Sequence, residues 1–328
     1  MQIRVITEQG GRTVDAAELP AALADPETLV WVDIPSCDDE AVDLLRSVFG
    51  FHPVAVHECR TRQRMPKFHA YADHVFVVLH APELAANGHV HFVELDQFVG
   101  ARYLVTVHGP VNPAVPEHVP VRDTMLIWER IEEGRFLPRS GVELCHAIVV
   151  AMGRGMEDTL EAVTEGVWSL EQRVTSGHMG DPERFLDEMF RTRHALLAVS
   201  NMTGSGVEVG RRVLAATIAQ LDARDRRLVG DAVDEFSRVH VLADVQREYL
   251  QGVIEFYRTR TDTKMTIAAE RLAVIAVVTL PITALASVLG MNVIVNDRSQ
   301  PVELSVALIV MIVMSLYLVR WARKHGWW

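Results

Sequence analysis

No charged residue interrupts the stretch from Leu272 to Asn296. Within it, LAVIAVVTLPITALASVL (272–289) spans about 27 Å as a helix, close to the thickness of a bilayer's hydrocarbon core. A second apolar run, LSVALIVMIVMSLYLV (304–319), is a little shorter. Trp321, Trp327 and Trp328 follow it and suit an interfacial belt. One such run alone is compatible with a buried core helix. Two in succession, joined by a short polar segment, predict two membrane spans. Cations set their orientation. Arg258, Arg260, Lys264 and Arg271 precede the first span, and Arg320, Arg323 and Lys324 follow the second. The connecting segment holds only Arg298. Positive residues stay inside, so both termini are expected in the cytoplasm and the loop outside a cell (plasma) membrane.

The rest of the chain differs in charge. The protein has 32 Lys+Arg against 43 Asp+Glu, and the residues after 265 hold only three of the acids. The larger part is therefore an acidic cytoplasmic body. Such a surface disfavours nucleic acid, whose phosphates need cations, and suits a cationic partner. Cys37, Cys59 and Cys145 form no CxxC pair, so neither a disulfide framework nor a zinc finger is expected. The opening MQIRVITEQGG lacks the apolar core of a signal peptide. There is no Walker loop, GxGxxG or GxSxG, and His52, His57 and Glu58 do not make HExxH. Neither an enzyme nor an organic cofactor is indicated. His89 and His91 alternate along a predicted strand, which makes them a candidate metal pair; ordinary core or surface histidines fit the spacing equally.

Residues 1–138 read as mixed α/β. TLVWVDI (28–34), HVFVVLHAP (74–82), VHFVELDQFVG (90–100) and RYLVTVH (102–108) are short, β-branched and bounded by Gly, Pro or Asn. DDEAVDLLRSVFG (38–50) predicts a helix with an acidic first turn. A proline-rich connector, GPVNPAVPEHVP, follows the strands. Residues 139–229 predict a helical hairpin, with Asp181 capping its second helix and Pro182 at the first helical position. The Gly-rich NMTGSGVEVG (201–210) is a possible break. From 230, Phe236, Val239, Leu242, Val245, Tyr249, Val253 and Phe256 recur with helical spacing. Nothing stops this pattern before the membrane, so 230–290 is expected to be one stalk helix entering the bilayer, with a hinge at 258–266 as the alternative. The assignment continues with a loop at 291–303, a second span at 304–321 and a basic tail at 322–328.

The first span carries a stripe at alternating spacings of three and four: Thr266, Ala269, Ala273, Ala276, Leu280, Thr283, Ser287 and Gly290. Small and hydroxylated side chains in a membrane belong at helix contacts or around water. A close-packed dimer and a pore fit the stripe alike.

Gly290-Met291-Asn292 lies at the outer end of a penultimate span, with LPITALASVL before it, and RMPKFHAYADHVFVVLH occupies 64–80. In these features the chain resembles the CorA family of magnesium channels. The resemblance implies a funnel-shaped homopentamer in membrane lipid whose cargo is the divalent cation. Mg²⁺ would enter down the membrane potential, with Co²⁺ and Ni²⁺ as further cargo. It makes Asn292 the selectivity ring, with Gly290 and Met291 shaping the turn. It implies a pore lined by Thr266, Leu272, Ala276, Leu280, Thr283 and Ser287. Glu58 and Asp231 take the places of regulatory Mg²⁺ ligands shared between subunits, joined by Asp234. Asp297 and Glu303 form the external loop's acidic set, and Glu255 a ring in the funnel. This sequence departs from the family pattern at Leu289, Ser287 and Thr266. A zinc or other divalent transporter of the same fold is the near alternative, although Met291 favours magnesium. A two-span membrane-anchored sensor or scaffold is the distant one.

The chemistry agrees with the motif. Mg²⁺ dehydrates reluctantly, so a channel that passes the hydrated ion needs neutral acceptors for water protons. Amide oxygens supply them, whereas carboxylates would hold the dication too strongly.

Overall fold

The computed structural model describes residues 1–85, 88–178, 180–216, 218, 221–290 and 301–324. The chain divides into two compact units, Met1–Val253 and Ile254–Trp328.

The first unit is built on a seven-stranded sheet. Its strands are β1 (Gln2–Thr7), β2 (Gly10–Val14), β3 (Leu29–Ile34), β4 (Lys67–Ala70), β5 (His74–Leu84), β6 (Val90–Gly100) and β7 (Tyr103–His108). The order is β2-β1-β3-β7-β6-β5-β4. Only the β3–β7 pair is parallel; every other neighbour is antiparallel. The four predicted strands form as β3, β5, β6 and β7. Side chains alternate between faces. Val30, Val32, Ile34, Phe76, Val78, Phe98, Val105 and Val107 therefore pack on one side with buried residues of α2 (Asp39–Ser47) and α3 (Pro53–Arg60). Asp38 caps α2, its Oδ1 accepting from Ala41 N at 2.8 Å. The β1–β2 hairpin, β4, α3 and a short helix α1 (Leu19–Ala24) carry weaker periodic signals. The proline-rich connector gives way at His118 to α4 (His118–Glu132).

Two long helices follow, α5 (Gly141–Ser176) and α6 (Pro182–Ala215). Ser140 caps α5, accepting from Glu143 N at 3.1 Å, and Asp181 caps α6 directly before Pro182. The Gly-rich stretch at 201–210 does not break α6. Its glycines instead admit α7 (Ala223–Gly290) to close range. A Cβ at Gly206 would lie 2.4 Å from Phe236, and one at Gly210 would lie 2.3 Å from Val233. Both partners are buried. Gly206→Leu is expected to destabilise the first unit by about 1–3 kcal/mol through overpacking. Thermal unfolding followed by circular dichroism measures this; an unchanged midpoint would contradict it.

α7 begins at Ala223, seven residues before the pattern at 230, because Asp222 Oδ1 accepts from Arg224 N and Asp225 N at 2.6 and 2.7 Å. The helix is unbroken to Gly290, so the hinge at 258–266 is not formed. Hydroxyls of Thr259, Thr261, Thr263 and Thr266 bond carbonyls four residues back along this polar stretch. The second unit comprises α7 from Ile254 onward and α8 (Pro301–Lys324). Both helices are long and apolar enough to cross a membrane. Since α8 starts at Pro301, the backbone of Glu303 lies in the helix and not in the external loop. Likewise α8 runs through 322–324, beyond the predicted start of the tail.

Candidate cation pathway and regulatory carboxylates

The apolar half of α7 has two unlike sides. Val274 is buried, and Val277, Val278, Pro281, Ile282 and Leu285 are half-buried. Thr266, Leu272, Ala276, Leu280, Thr283, Ser287 and Gly290 are all exposed. The side used inside the chain is thus the β-branched one. The small and hydroxylated stripe is left for water or a second copy. α7 ends at Gly290, so the Gly-Met-Asn tripeptide starts on its last residue. Met291, Asn292 and Asp297 lie outside the described residues.

The hydroxyls on the stripe have a fixed polarity. Thr283 Oγ1 donates to Thr279 O at 2.9 Å, and Thr266 Oγ1 donates to Asp262 O at 3.0 Å. A hydroxyl has one proton and two acceptor lone pairs. With the proton committed to the backbone, each oxygen presents only acceptor capacity outward. That polarity suits the water protons of a hydrated cation and not an anion. The back-bonding also satisfies a polar group at membrane depth.

The carboxylates assigned to regulation have partners within their own chain that the sequence did not disclose. Glu58, near the end of α3, accepts from Lys67 Nζ at 2.8 Å through Oε1, and its side chain is 17% exposed. Its Oε2 has no hydrogen-bond partner. Asp231 on α7 is 72% exposed and lies 3.1 Å from His146 Nε2. Asp234 is exposed one turn further on, and Glu255 is exposed lower on α7. The two carboxylates therefore engage different partners. Among the described residues of one chain, no group of three His, Cys, Asp or Glu could hold a metal. His89 directly precedes β6 and His91 lies in it. A hard dication takes six oxygen ligands. Among the described residues of one chain, Glu58 and Asp231 belong to no such set.

Behind Glu58 lies Asp96 on β6, fully buried, with neither oxygen hydrogen-bonded. The neighbouring Cys59 thiol donates to Ala55 O. Burial, and then the charge of Glu94, push the Asp96 carboxyl well above the usual carboxylate range. A raised carboxyl favours its neutral form in the fold. Its contribution to stability is therefore present at acid pH and is lost as pH rises from about 4 towards the folded value. Asp96→Asn is expected to raise the unfolding midpoint more at pH 8 than at pH 5. Equal shifts at both pH values would contradict this assignment.

A family model described as CorA-like Mg2+ transporter protein matches residues 26–324. The chain belongs to that family. CorA-family proteins are membrane transporters of divalent cations and not enzymes, and this chain has their fold. Its sequence is 21% identical over 266 residues to YfjQ of Bacillus subtilis strain 168, covering 80% of this chain and 78% of that protein. It is 20% identical over 315 residues to the cobalt/magnesium transport protein CorA of Thermotoga maritima, covering 92% and 84%. The complete structure of the CorA magnesium transporter from Methanocaldococcus jannaschii superposes with a TM-score of 0.80 at 16% identity, covering 100% of this chain and 99% of that one.

Proposed function

We propose that this protein is a Mg²⁺ influx channel. A homopentamer aligns five copies of the exposed α7 stripe around a pore, and hydrated Mg²⁺ enters past a ring of Asn292 amides. Both termini lie in the cytoplasm, and Co²⁺ and Ni²⁺ share the path. The observation that carries this reading is the end of α7: Gly-Met-Asn begins on the last residue of an apolar helix whose small, hydroxylated side takes no part in packing within the chain. Two charges crossing 100 mV gain about 4.6 kcal/mol, so no ATP is required. Gly290 gives the backbone freedom at the turn, and its exposed place at the helix end fits that role. Asp297 and Glu303 concentrate cations at the mouth, and Glu255 does so in the funnel.

Uptake by purified protein in vesicles with an inside-negative potential tests this reading. Mg²⁺ entry with a pentameric mass in detergent is expected. Impermeable vesicles containing a dimer would instead favour a two-span scaffold.

Regulation follows from the same arrangement. Internal Mg²⁺ bound between Glu58 of one copy and Asp231 of the next, with Asp234 nearby, relieves carboxylate repulsion and holds the assembly closed. Glu58→Ala with Asp231→Ala should raise flux at millimolar internal Mg²⁺. Lys67 competes with the metal for Glu58. Lys67→Met is expected to lower the internal Mg²⁺ needed for half-closure about tenfold, the scale of one charge-assisted hydrogen bond. An unchanged or higher requirement, read from flux against internal Mg²⁺, would oppose this role for Lys67.

A further inference from the structure

The face of the sheet that carries Val77 and Val99 does not close completely against α5, α6 and the start of α7. A cavity of about 260 Å³ remains, lined by Val77, Val99, Cys145, Val209 and Leu228. Burial pushes the Cys145 thiol up to about 12, so it is a neutral wall group. Among the described residues, the polar side chains of its lining are Ser140, Asp225 and His146, the last bonded to Asp231. A water needs two to four polar partners, and the apolar wall offers it none. Dry apolar cavities of about 150 Å³ already take up benzene or xenon; this one is larger. Its lining holds one carboxylate, Asp225, which repels an anionic head.

We propose that this cavity is a binding site for one uncharged aliphatic chain, and that its occupancy acts on cation passage through α7. Leu228, Ala232 and Val233 of α7 form part of the wall. Asp231, on the same turns, is the exposed carboxylate assigned to Mg²⁺ regulation. A ligand that fills the space fixes these turns and so biases which arrangement Asp231 can adopt. The coupling rests on the proposed channel function; the binding site does not.

The test uses crystals of the full-length protein soaked with 1-bromooctane and, separately, with 8-bromooctanoate. Anomalous bromine signal between Cys145, Val209 and Leu228 is expected for the first and not for the second. Cys145→Leu and Val209→Phe, each of which fills part of the space, should each remove it while leaving the unfolding midpoint equal or higher. No signal in the wild type, or signal retained in a folded Cys145→Leu protein, would overturn the site. Equal occupancy by the carboxylate would overturn its preference for an uncharged chain. In vesicles, octanol at saturating concentration should change Mg²⁺ uptake at least threefold in the wild type and leave Cys145→Leu unaffected. Identical changes in both proteins would overturn the coupling. Absence of uptake under every condition would refute the channel reading, with the bromine signal still reporting on the site.

Discussion

Asp33→Ala is expected to cost about 3–5 kcal/mol of stability, because it strands a buried cation. Arg4, with a side chain 1% exposed, lies on β1 beside Asp33 on β3, its Nη1 3.7 Å from Asp33 Oδ2. Its guanidinium sits over the rings of Trp31 and Trp128, 4.3 and 4.8 Å from their centroids. Another of its nitrogens donates to Gln2 Oε1. Asp33 Oδ1 accepts from Thr106 Oγ1 at 2.6 Å and lies 2.9 Å from His108 Nε2. Thr106 in turn accepts from Trp31 Nε1 at 3.0 Å. Burial alone would raise the Asp33 carboxyl. The bonds from His108 and Thr106, with the charges of His108 and Arg4, outweigh it and hold the carboxyl below its ordinary value.

The sign of the pH dependence follows. A depressed carboxyl stabilises the fold above its unfolded value, about pH 4, and that contribution is lost as pH falls through the folded value. The difference between wild type and Asp33→Ala should therefore be full at pH 7 and shrink below pH 4. Adding Arg4→Met to Asp33→Ala should recover most of the loss, since the stranded cation goes with it. Denaturant unfolding of the full chain measures all three proteins. A loss under about 1 kcal/mol, or no recovery in the double variant, would contradict this account of the network.

How much of this was legible in the sequence depended on the range of the interactions. The apolar runs, the cap at Asp181 and four of the strands were readable because propensity, capping and periodicity act within a few residues. β2, GGRTV, was not, since it has only one buried position and gains its order from β1. The Gly-rich segment misled because glycine reads locally as a breaker, whereas here its use is tertiary: it makes room for Phe236 and Val233. The family motif placed Glu58 and Asp231, but not the residues that hold them. Lys67 is nine positions from Glu58, and His146 is 85 from Asp231; no periodic pattern links either pair. Arg4 did leave a trace, as a cation between Ile3 and Val5 in an apolar strand. Its partner could not be read without the β1–β3 register. On α7, the alternation of small and bulky residues identified two faces. Which one packs within the chain followed only from the structure.

Asn292→Ala is expected to change function more than any other single substitution. The amide oxygen is the strongest side-chain acceptor in the tripeptide for a water proton from a hydrated cation. In the proposed pore, five copies of it would replace part of the ion's outer hydration without stripping the inner shell, which Mg²⁺ surrenders reluctantly. Alanine offers no acceptor, and each lost charge-assisted contact is worth about 1.5–3 kcal/mol. Over several copies the barrier to entry should rise enough to lower Mg²⁺ uptake at least a hundredfold. The oligomeric state and the unfolding midpoint should be unaltered, since position 292 comes after the last residue of α7. The deciding measurement is Mg²⁺ uptake into vesicles holding equal amounts of wild-type and Asn292→Ala protein under the same inside-negative potential. Robust entry in the first and near-absence in the second is the predicted result; equal entry in both would contradict the claim that a ring of amides admits the ion.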